Sequence, residues 1–331
     1  MIKCAAPFLA LSALFVPPLL AQDGGGGANQ PPEHVEPFPN LAIGKGREKA
    51  RESFDLAPHL ERGTPATQML EQNRRLSRAL AALEPQRPGT VDAYIVSIAL
   101  DSDPVFAREA REAAKVLGRR YGGSDGGKGR ILTRAGPDGQ SDDLARGSIR
   151  SMILGLAHMA ELMDRDEDVL VVYTTSHGSQ LGLVNHFGDN EYGIFSPTRL
   201  QKVFAELGIK RRLLIISACY SGIFLPKLSG PDTAILTAAA AQRTSFGCAP
   251  ENDWTFYGDA LINRSLRKPQ SLADAAKETS RQIAEWESSR RLLASLPQTA
   301  IGDGAKVWLA QLESRMPQTA TDPVGRPSVG E

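Results

Sequence analysis

Apolar stretches alternate with amphipathic ones along most of this chain. Three runs are almost wholly apolar, at residues 91–100, 169–175 and 213–218. Such runs are typical of strands that are buried on both faces of a sheet. The segments between them carry apolar residues at helical spacing, which predicts helices packed against the sheet. Because strands and helices alternate over residues 91–267, we expect an α/β fold with a doubly wound, mostly parallel sheet and helices on both faces.

Capping residues predict where the helices begin. Asp103-Pro104 supplies an N-cap and a first-turn proline, and Ser141-Asp142-Asp143 predicts the start of the following helix. Ser196-Pro197 and Ser271 predict two further helix starts. The polar, glycine-containing residues 180–195 predict a hairpin or loop excursion from the sheet.

The N-terminal residues 1–21 have the pattern of a targeting segment. Lys3 precedes an apolar stretch that ends in Leu19-Leu20-Ala21, which predicts a cleaved signal peptide and export to the periplasm or the medium. An uncleaved membrane anchor is the alternative. Pro17-Pro18 argues against that alternative, because a membrane-spanning helix needs roughly 20 apolar residues.

The rest of the chain divides by composition. Residues 22–66 begin with a run rich in glycine and proline, which predicts a flexible segment. Residues 67–312 predict one folded domain with its core at 91–304, and residues 313–331 predict a loose C-terminal tail.

Charge and cysteine content exclude several classes of protein. The 331 residues include 38 basic and 38 acidic side chains, and this zero net charge argues against a nucleic-acid-binding protein. Three cysteines are too few for a disulfide scaffold. Cys4 leaves with the predicted signal peptide, so the mature chain keeps Cys219 and Cys248.

Candidate catalytic side chains follow the two most apolar strands. His177 comes two residues after one strand, and Cys219 comes shortly after the next. A right-handed crossover makes these strands parallel, so both residues are expected at the same edge of the sheet. A nearby imidazole activates a thiol as a nucleophile. Taken singly, each residue has a structural interpretation, as a small buried thiol or a hydrogen-bonded histidine.

The backbone around these residues suits acyl-transfer chemistry. Gly178 has no Cβ, so its N–H can approach a ligand closely, and together with the Cys219 N–H it is a candidate oxyanion hole. No HxxxH, CxxC or clustered carboxylate spacing is present, so the sequence predicts neither a metal site nor a cofactor. We expect Cys248 to be a free thiol, because a disulfide with Cys219 would block the nucleophile.

Three sequence blocks resemble a known family. Ser176-His177-Gly178-Ser179, Ser217–Gly222 and Arg243–Cys248 together with Asp253–Ala260 look like the legumain-like C13 cysteine peptidases, in particular their bacterial caspase-like branch. The resemblance covers roughly residues 85–304. It implies a caspase-like α/β/α sandwich, with His177 and Cys219 as the catalytic dyad, Gly178 at the oxyanion hole and a thioester intermediate.

The resemblance also implies a substrate-binding pocket. The family's glutamate two residues before the cysteine is replaced by Ser217, whereas its aspartate matches Asp259. This combination suggests a basic or polar P1 residue in the substrate. Thr244, Ser245 and Phe246 are further candidates for the pocket wall.

These observations favour an exported cysteine endopeptidase that acts on peptides or proteins. A transpeptidase or ligase with the same dyad is an alternative, because an amine can resolve a thioester as water does. A non-catalytic scaffold with the same fold is another. We expect no nucleic-acid partner and no stable membrane span after signal cleavage.

Overall fold

A computed structural model describes residues 29–329. The predicted signal peptide and Cys4 lie outside the described residues. The strands are β1 (His59–Glu61), β2 (Ala93–Ala99), β3 (Ile131–Arg134), β4 (Val169–Thr175), β5 (Gly178–Ser179), β6 (Gly182–Phe187), β7 (Glu191–Phe195), β8 (Arg212–Ser217), β9 (Thr233–Thr237) and β10 (Gln298–Ile301). The α-helices are α1 (Arg47–Phe54), α2 (Ala66–Ala81), α3 (Pro104–Tyr121), α4 (Ile149–Leu162), α5 (Pro197–Leu207), α6 (Leu225–Leu228), α7 (Leu272–Ser289) and α8 (Asp303–Glu313).

The main sheet has the strand order β10-β9-β8-β4-β2-β3. The pairs from β9 to β3 are parallel, and only the edge strand β10 runs antiparallel to its neighbour. All residues of β2, β4 and β9 are buried, as expected for apolar strands covered on both faces. The sequence did not predict β10, which has two exposed residues and lacks a long apolar run.

Helices cover both faces of this sheet. On one face, α3, α7 and α8 pack with alternate residues of β4 and β8. On the other face, α4 and α5 pack against the residues in between. The predicted α/β fold, with a mostly parallel sheet between two helical layers, is therefore confirmed. Within residues 29–329, no helix is long and apolar enough to cross a membrane.

A small antiparallel sheet projects from the end of β4. Its strand order is β1-β7-β6-β5, and it contains the hairpin predicted for residues 180–195. A parallel bridge between Asp101 and His186 joins this sheet to the residues that follow β2. The small sheet thus stands beside the carboxyl ends of the central strands.

Two helix predictions need correction. The helix expected from Ser141-Asp142-Asp143 begins only at Ile149, where Ser148 and Ser151 form a capping box. The two aspartates instead pair with arginines of other helices, Asp142 with Arg75 and Asp143 with Arg111. The helix expected near 256–267 is a π-helix at Gly258–Arg264 followed by a short 3-10 helix.

Both terminal segments make contacts with the domain. Within the segment predicted to be flexible, β1 pairs with β7, and the Glu36 N–H donates to Asp189 at 2.9 Å. At the other end, the Trp254 indole donates to the carbonyl of Val324 at 2.9 Å. Polar and backbone contacts hold both segments, and composition alone does not reveal such contacts.

Candidate active site

The two predicted catalytic residues follow neighbouring strands. β4 and β8 are parallel partners, and Thr175 lies opposite Ser217 in their register. His177 and Cys219 each come two residues beyond this pair, so both lie at the carboxyl edge of the sheet. They line one pocket. The other residues of its wall are Phe106, Ser176, Ser217, Ala218, Ser245, Phe246, Cys248 and Thr255.

Cys219 occupies a tight turn. The next residue, Tyr220, has a left-handed conformation with φ of 56°, which is uncommon for a residue with a side chain. The Ser245 N–H donates to the Cys219 sulfur at 3.2 Å. Burial raises the pKa of the Cys219 thiol, although the Ser245 contact and the charge of His177 oppose that rise. The donor from Ser245 therefore favours a thiolate that burial alone would disfavour.

Gly178 makes a close approach to Cys219. A Cβ at this position would lie 2.0 Å from the carbonyl oxygen of Cys219 and 3.0 Å from its nitrogen. No side chain fits there without a backbone shift, which explains the glycine. The two residues predicted to form the oxyanion hole therefore have adjacent backbones.

His177 contacts the carboxylate of Asp103, which the sequence analysis predicted to be a helix N-cap. The Asp103 carboxylate lies 2.9 Å from His177 Nε2 and forms no side-chain cap on α3, although Asp103 is the N-cap residue. The edge of the imidazole also contacts Phe106, with ring centroids 5.0 Å apart. Burial opposes protonation of His177, but the bond to Asp103 and a contact with Cys248 outweigh it and raise its pKa to about 11. His177 is therefore an imidazolium at neutral pH.

The second thiol also belongs to this pocket. Cys248 lines the pocket together with His177, contributes to the raised pKa of that histidine, and packs against the apolar cluster around Phe106. Cys219 and Cys248 are both free thiols. The structure thus brings two cysteines to one histidine, whereas the sequence singled out only Cys219.

The predicted substrate-binding residues do not all meet at this pocket. Ser217, Ser245 and Phe246 line it, and the exposed Thr244 comes directly before Ser245. Asp259 does not line it. Its buried carboxylate accepts hydrogen bonds from Asn263, Arg264 and Ser328, which lie away from the catalytic residues.

Glu109 is a polar residue beneath the pocket that the sequence reasoning missed. This fully buried side chain of α3 accepts hydrogen bonds from Thr175, Ser217 and Thr255 at 2.8–3.0 Å. It also accepts one from Tyr173. A signal was present, because position 109 falls on the helix face that carries Phe106 and Ala113. A charged residue on an apolar face points to a buried polar network.

Comparison with known families tests the expected resemblance. Residues 143–304, just under half of the chain, match the model described as Peptidase C13 family. The resemblance to C13 peptidases is confirmed. His177 and Cys219 both fall within the matched residues. The match supports a cysteine peptidase function, and a peptidase acts on peptide or protein substrates. The bacterial branch within the family stays a prediction.

The chain was also compared with solved structures and with curated proteins. The crystal structure of caspase-1 from Spodoptera frugiperda is similar over 66% of this chain and 92% of that one, with 17% sequence identity and a TM-score of 0.42. No curated protein shows a significant match to the chain.

Proposed function

We propose that this protein is an exported cysteine endopeptidase in which Cys219 is the nucleophile and His177 is the general acid. One observation carries the proposal: the two side chains line a single pocket at the ends of neighbouring parallel strands. The peptidase C13 match over this region supports it. The pattern of residues 1–21 supports export.

The first step is attack by the Cys219 thiolate on the substrate carbonyl carbon, after the thiol has released its proton to solvent water. A carbon–sulfur bond forms, and the carbonyl electron pair moves onto oxygen. The N–H groups of Gly178 and Cys219 are suited to stabilise that oxyanion, because their backbones are adjacent. His177 is already protonated and gives its proton to the leaving amine as the carbon–nitrogen bond breaks. This step leaves a thioester on Cys219.

The second step releases the acyl group. His177 is neutral after the first step and takes a proton from a water molecule that attacks the thioester. The carbon–sulfur bond breaks, and the carboxylic acid product leaves. Asp103 holds His177 through both steps, because its carboxylate lies 2.9 Å from Nε2 and favours the imidazolium. Asp103 is thus a positioning residue.

The floor of the pocket suggests a preference in the substrate. Ser217 and Thr255 line the pocket and donate to the buried Glu109, so an acidic group lies directly behind them. This arrangement favours a basic or polar P1 side chain through its charge. Asp259 plays no part in this proposal, because it lies outside the pocket.

Fluorogenic peptides that differ only in P1 test the proposal. We expect cleavage of substrates with Arg, Lys or Asn at P1, and no cleavage of any of them by Cys219→Ala. Circular dichroism of the variant checks that it remains folded. Failure of the wild-type protein to cleave any peptide of the panel, under reducing conditions, would contradict the proposal.

A further inference from the structure

A cluster of three side chains that could ligate a metal ion lies beside the proposed catalytic pocket. His34 comes from the segment before α1, Asp101 follows β2, and His186 lies on β6. The rings of His34 and His186 stack with centroids 3.5 Å apart. His34 Nε2 lies 2.9 Å from one carboxylate oxygen of Asp101. Three distant parts of the chain therefore meet at one place.

The backbone fixes two of these residues relative to each other. The His186 N–H donates to Leu100 and the Ser102 N–H donates to the His186 carbonyl, both at 2.9 Å. These bonds flank the parallel bridge between Asp101 and His186. The positions of the Asp101 and His186 side chains are thus set by main-chain hydrogen bonds, as is usual for a prepared binding site.

Two atoms in the cluster lack a partner. Asp101 Oδ2 and His186 Nε2 are buried and have no hydrogen-bond partner among residues 29–329. Asp101 is 4% exposed and His186 is 8% exposed. A buried carboxylate oxygen and a buried imidazole nitrogen without hydrogen-bond partners both destabilise the folded protein. Their orphan atoms therefore point to a ligand that satisfies both.

The donor set selects the chemistry of that ligand. We propose that His34, Asp101 and His186 bind a divalent transition-metal ion of the Zn²⁺ class. One ligand atom of each residue lies within 4.8 Å of the others. The two stacked rings would have to turn so that a nitrogen of each points at the ion, at the bond lengths of about 2.0–2.2 Å that zinc requires. Two imidazoles and one carboxylate suit Zn²⁺ better than Mg²⁺ or Ca²⁺, which prefer oxygen ligands.

A neighbouring group of side chains is the weaker candidate. Asp101, Asp103 and His177 also lie within reach of one ion. However, Asp103 and His177 already satisfy each other at 2.9 Å. Asp101 belongs to both clusters, but the orphan Nε2 of His186 belongs only to the first, and this difference assigns the ion to His34, Asp101 and His186.

The proposed site joins the N-terminal segment to the catalytic edge. His34 Nε2 is 3.7 Å from Asp103, the residue that holds His177. An ion bound by His34 would fasten residues around position 34 to the turn between β2 and α3. The sequence could not show this site, because its three ligands have no local spacing.

Isothermal titration of the full chain with ZnCl₂ tests the proposal. The titration uses a Cys219→Ser/Cys248→Ser background, because two thiols and His177 could themselves bind zinc. We expect one equivalent of Zn²⁺ to bind. His34→Ala, His186→Ala and Asp101→Asn should each weaken Zn²⁺ binding by roughly 100-fold. This is the upper end of the loss in metal affinity that follows removal of a residue hydrogen-bonded to a metal ligand. His158→Ala, on the exposed side of α4, is the matched control and should bind as the background does.

Thermal melting, followed by circular dichroism, shows whether a variant that fails to bind Zn²⁺ is still folded. His34 is only partly buried in a terminal segment, so His34→Ala should retain the circular dichroism of the metal-free background, and its melting temperature without Zn²⁺ serves as its own reference. Zn²⁺ should raise the melting temperature of the background and not that of His34→Ala. Absence of stoichiometric binding to the background, or binding by all three ligand variants as tight as that of the background, would overturn the proposal. Neither readout depends on peptidase activity.

Discussion

Two cysteines share the catalytic pocket, and their surroundings differ in kind. Cys219 follows a buried strand, precedes a left-handed Tyr220 and accepts an N–H from Ser245. Cys248 lies in a loop, packs on an apolar cluster and contributes to the raised pKa of His177. That influence on the histidine alone would favour Cys248 as the nucleophile. The backbone donors and the approach of Gly178 favour Cys219, because the oxygen of the attacked carbonyl group needs an oxyanion hole beside the nucleophile.

On the proposed mechanism, the backbone distinguishes the catalytic thiol as much as the histidine does. Cys219 precedes the left-handed Tyr220 and has Gly178 beside it. Cys248 is, on this account, a neighbour that adjusts the charge on His177. The predictions below separate these two roles.

Removal of each thiol should give the largest contrast. Cys219→Ala is expected to lower kcat/KM by about 10⁴-fold or more, since loss of a nucleophile removes the covalent step. Cys248→Ala should keep activity within about tenfold, because its thiol takes no part in bond formation. Peptide cleavage by the two purified variants is the measurement. A large loss in Cys248→Ala with activity retained in Cys219→Ala would reverse the assignment.

A methyl group at position 178 should displace the backbone of Cys219 and leave that of Cys248 in place. In Gly178→Ala, the new Cβ meets the Cys219 carbonyl at 2.0 Å, so the backbone must move away from the nucleophile. We expect a loss of roughly 10²–10³-fold in kcat, as for a damaged oxyanion hole. Gly230→Ala is the matched control, because its Cβ would come no closer than 4.0 Å to another residue. Equal activity in both variants would show that the approach of Gly178 is not used in catalysis.

Loss of the Asp103 charge should lower the pKa of His177. Asp103→Asn removes the main group that raises the pKa of His177 to about 11, so this pKa should fall toward the ordinary histidine range. NMR titration of the His177 ring measures it, and His177→Ala assigns the signal. Activity near neutral pH should drop by roughly 10²-fold. Asp142→Asn, which breaks a remote pair with Arg75, should leave both the titration and the activity unchanged.

The pH dependence of thiol alkylation should give the smallest but most specific effect. Burial raises the pKa of Cys219, so its reaction with iodoacetamide should accelerate with pH and reach half its maximum above the ordinary thiol pKa. The profile should show no break near pH 6.5, because His177 stays protonated up to about pH 11. Rates are followed in Cys248→Ala, where Cys219 is the one remaining thiol of the pocket. A fully reactive thiolate at pH 6 would contradict the burial of Cys219.

Much of the fold could be predicted because the central strands β2, β4 and β8 of the main sheet are nearly continuous apolar runs. β4 and β8 were found in this way, and the crossover rule then brought His177 and Cys219 together. Asp103 was assigned as a helix cap, since the local sequence does not show that its side chain turns toward another strand end. Glu109 was missed for a similar reason, because its four partners come from three separate parts of the chain: β4, β8 and the loop at Thr255.

The residues that sequence could not place depend on contacts between distant segments. Cys248 was predicted to be a free thiol, but its place in the wall of the pocket follows from how the loop packs on the apolar cluster around Phe106. Asp259 matched a family pattern, yet the side chain lies under the C-terminal tail. The sequence pattern identifies which residue types lie at strand ends. The packing of the loops determines which of those residues contact one another.

Labelling by a peptidyl acyloxymethyl ketone tests the central claim most directly. The reagent alkylates the thiol that a peptidase uses as its nucleophile, and mass spectrometry of the digested protein locates the adduct. The account predicts modification of Cys219 in the wild type and in Cys248→Ala, and none in Cys219→Ala. An adduct on Cys248 in the wild-type protein would contradict it.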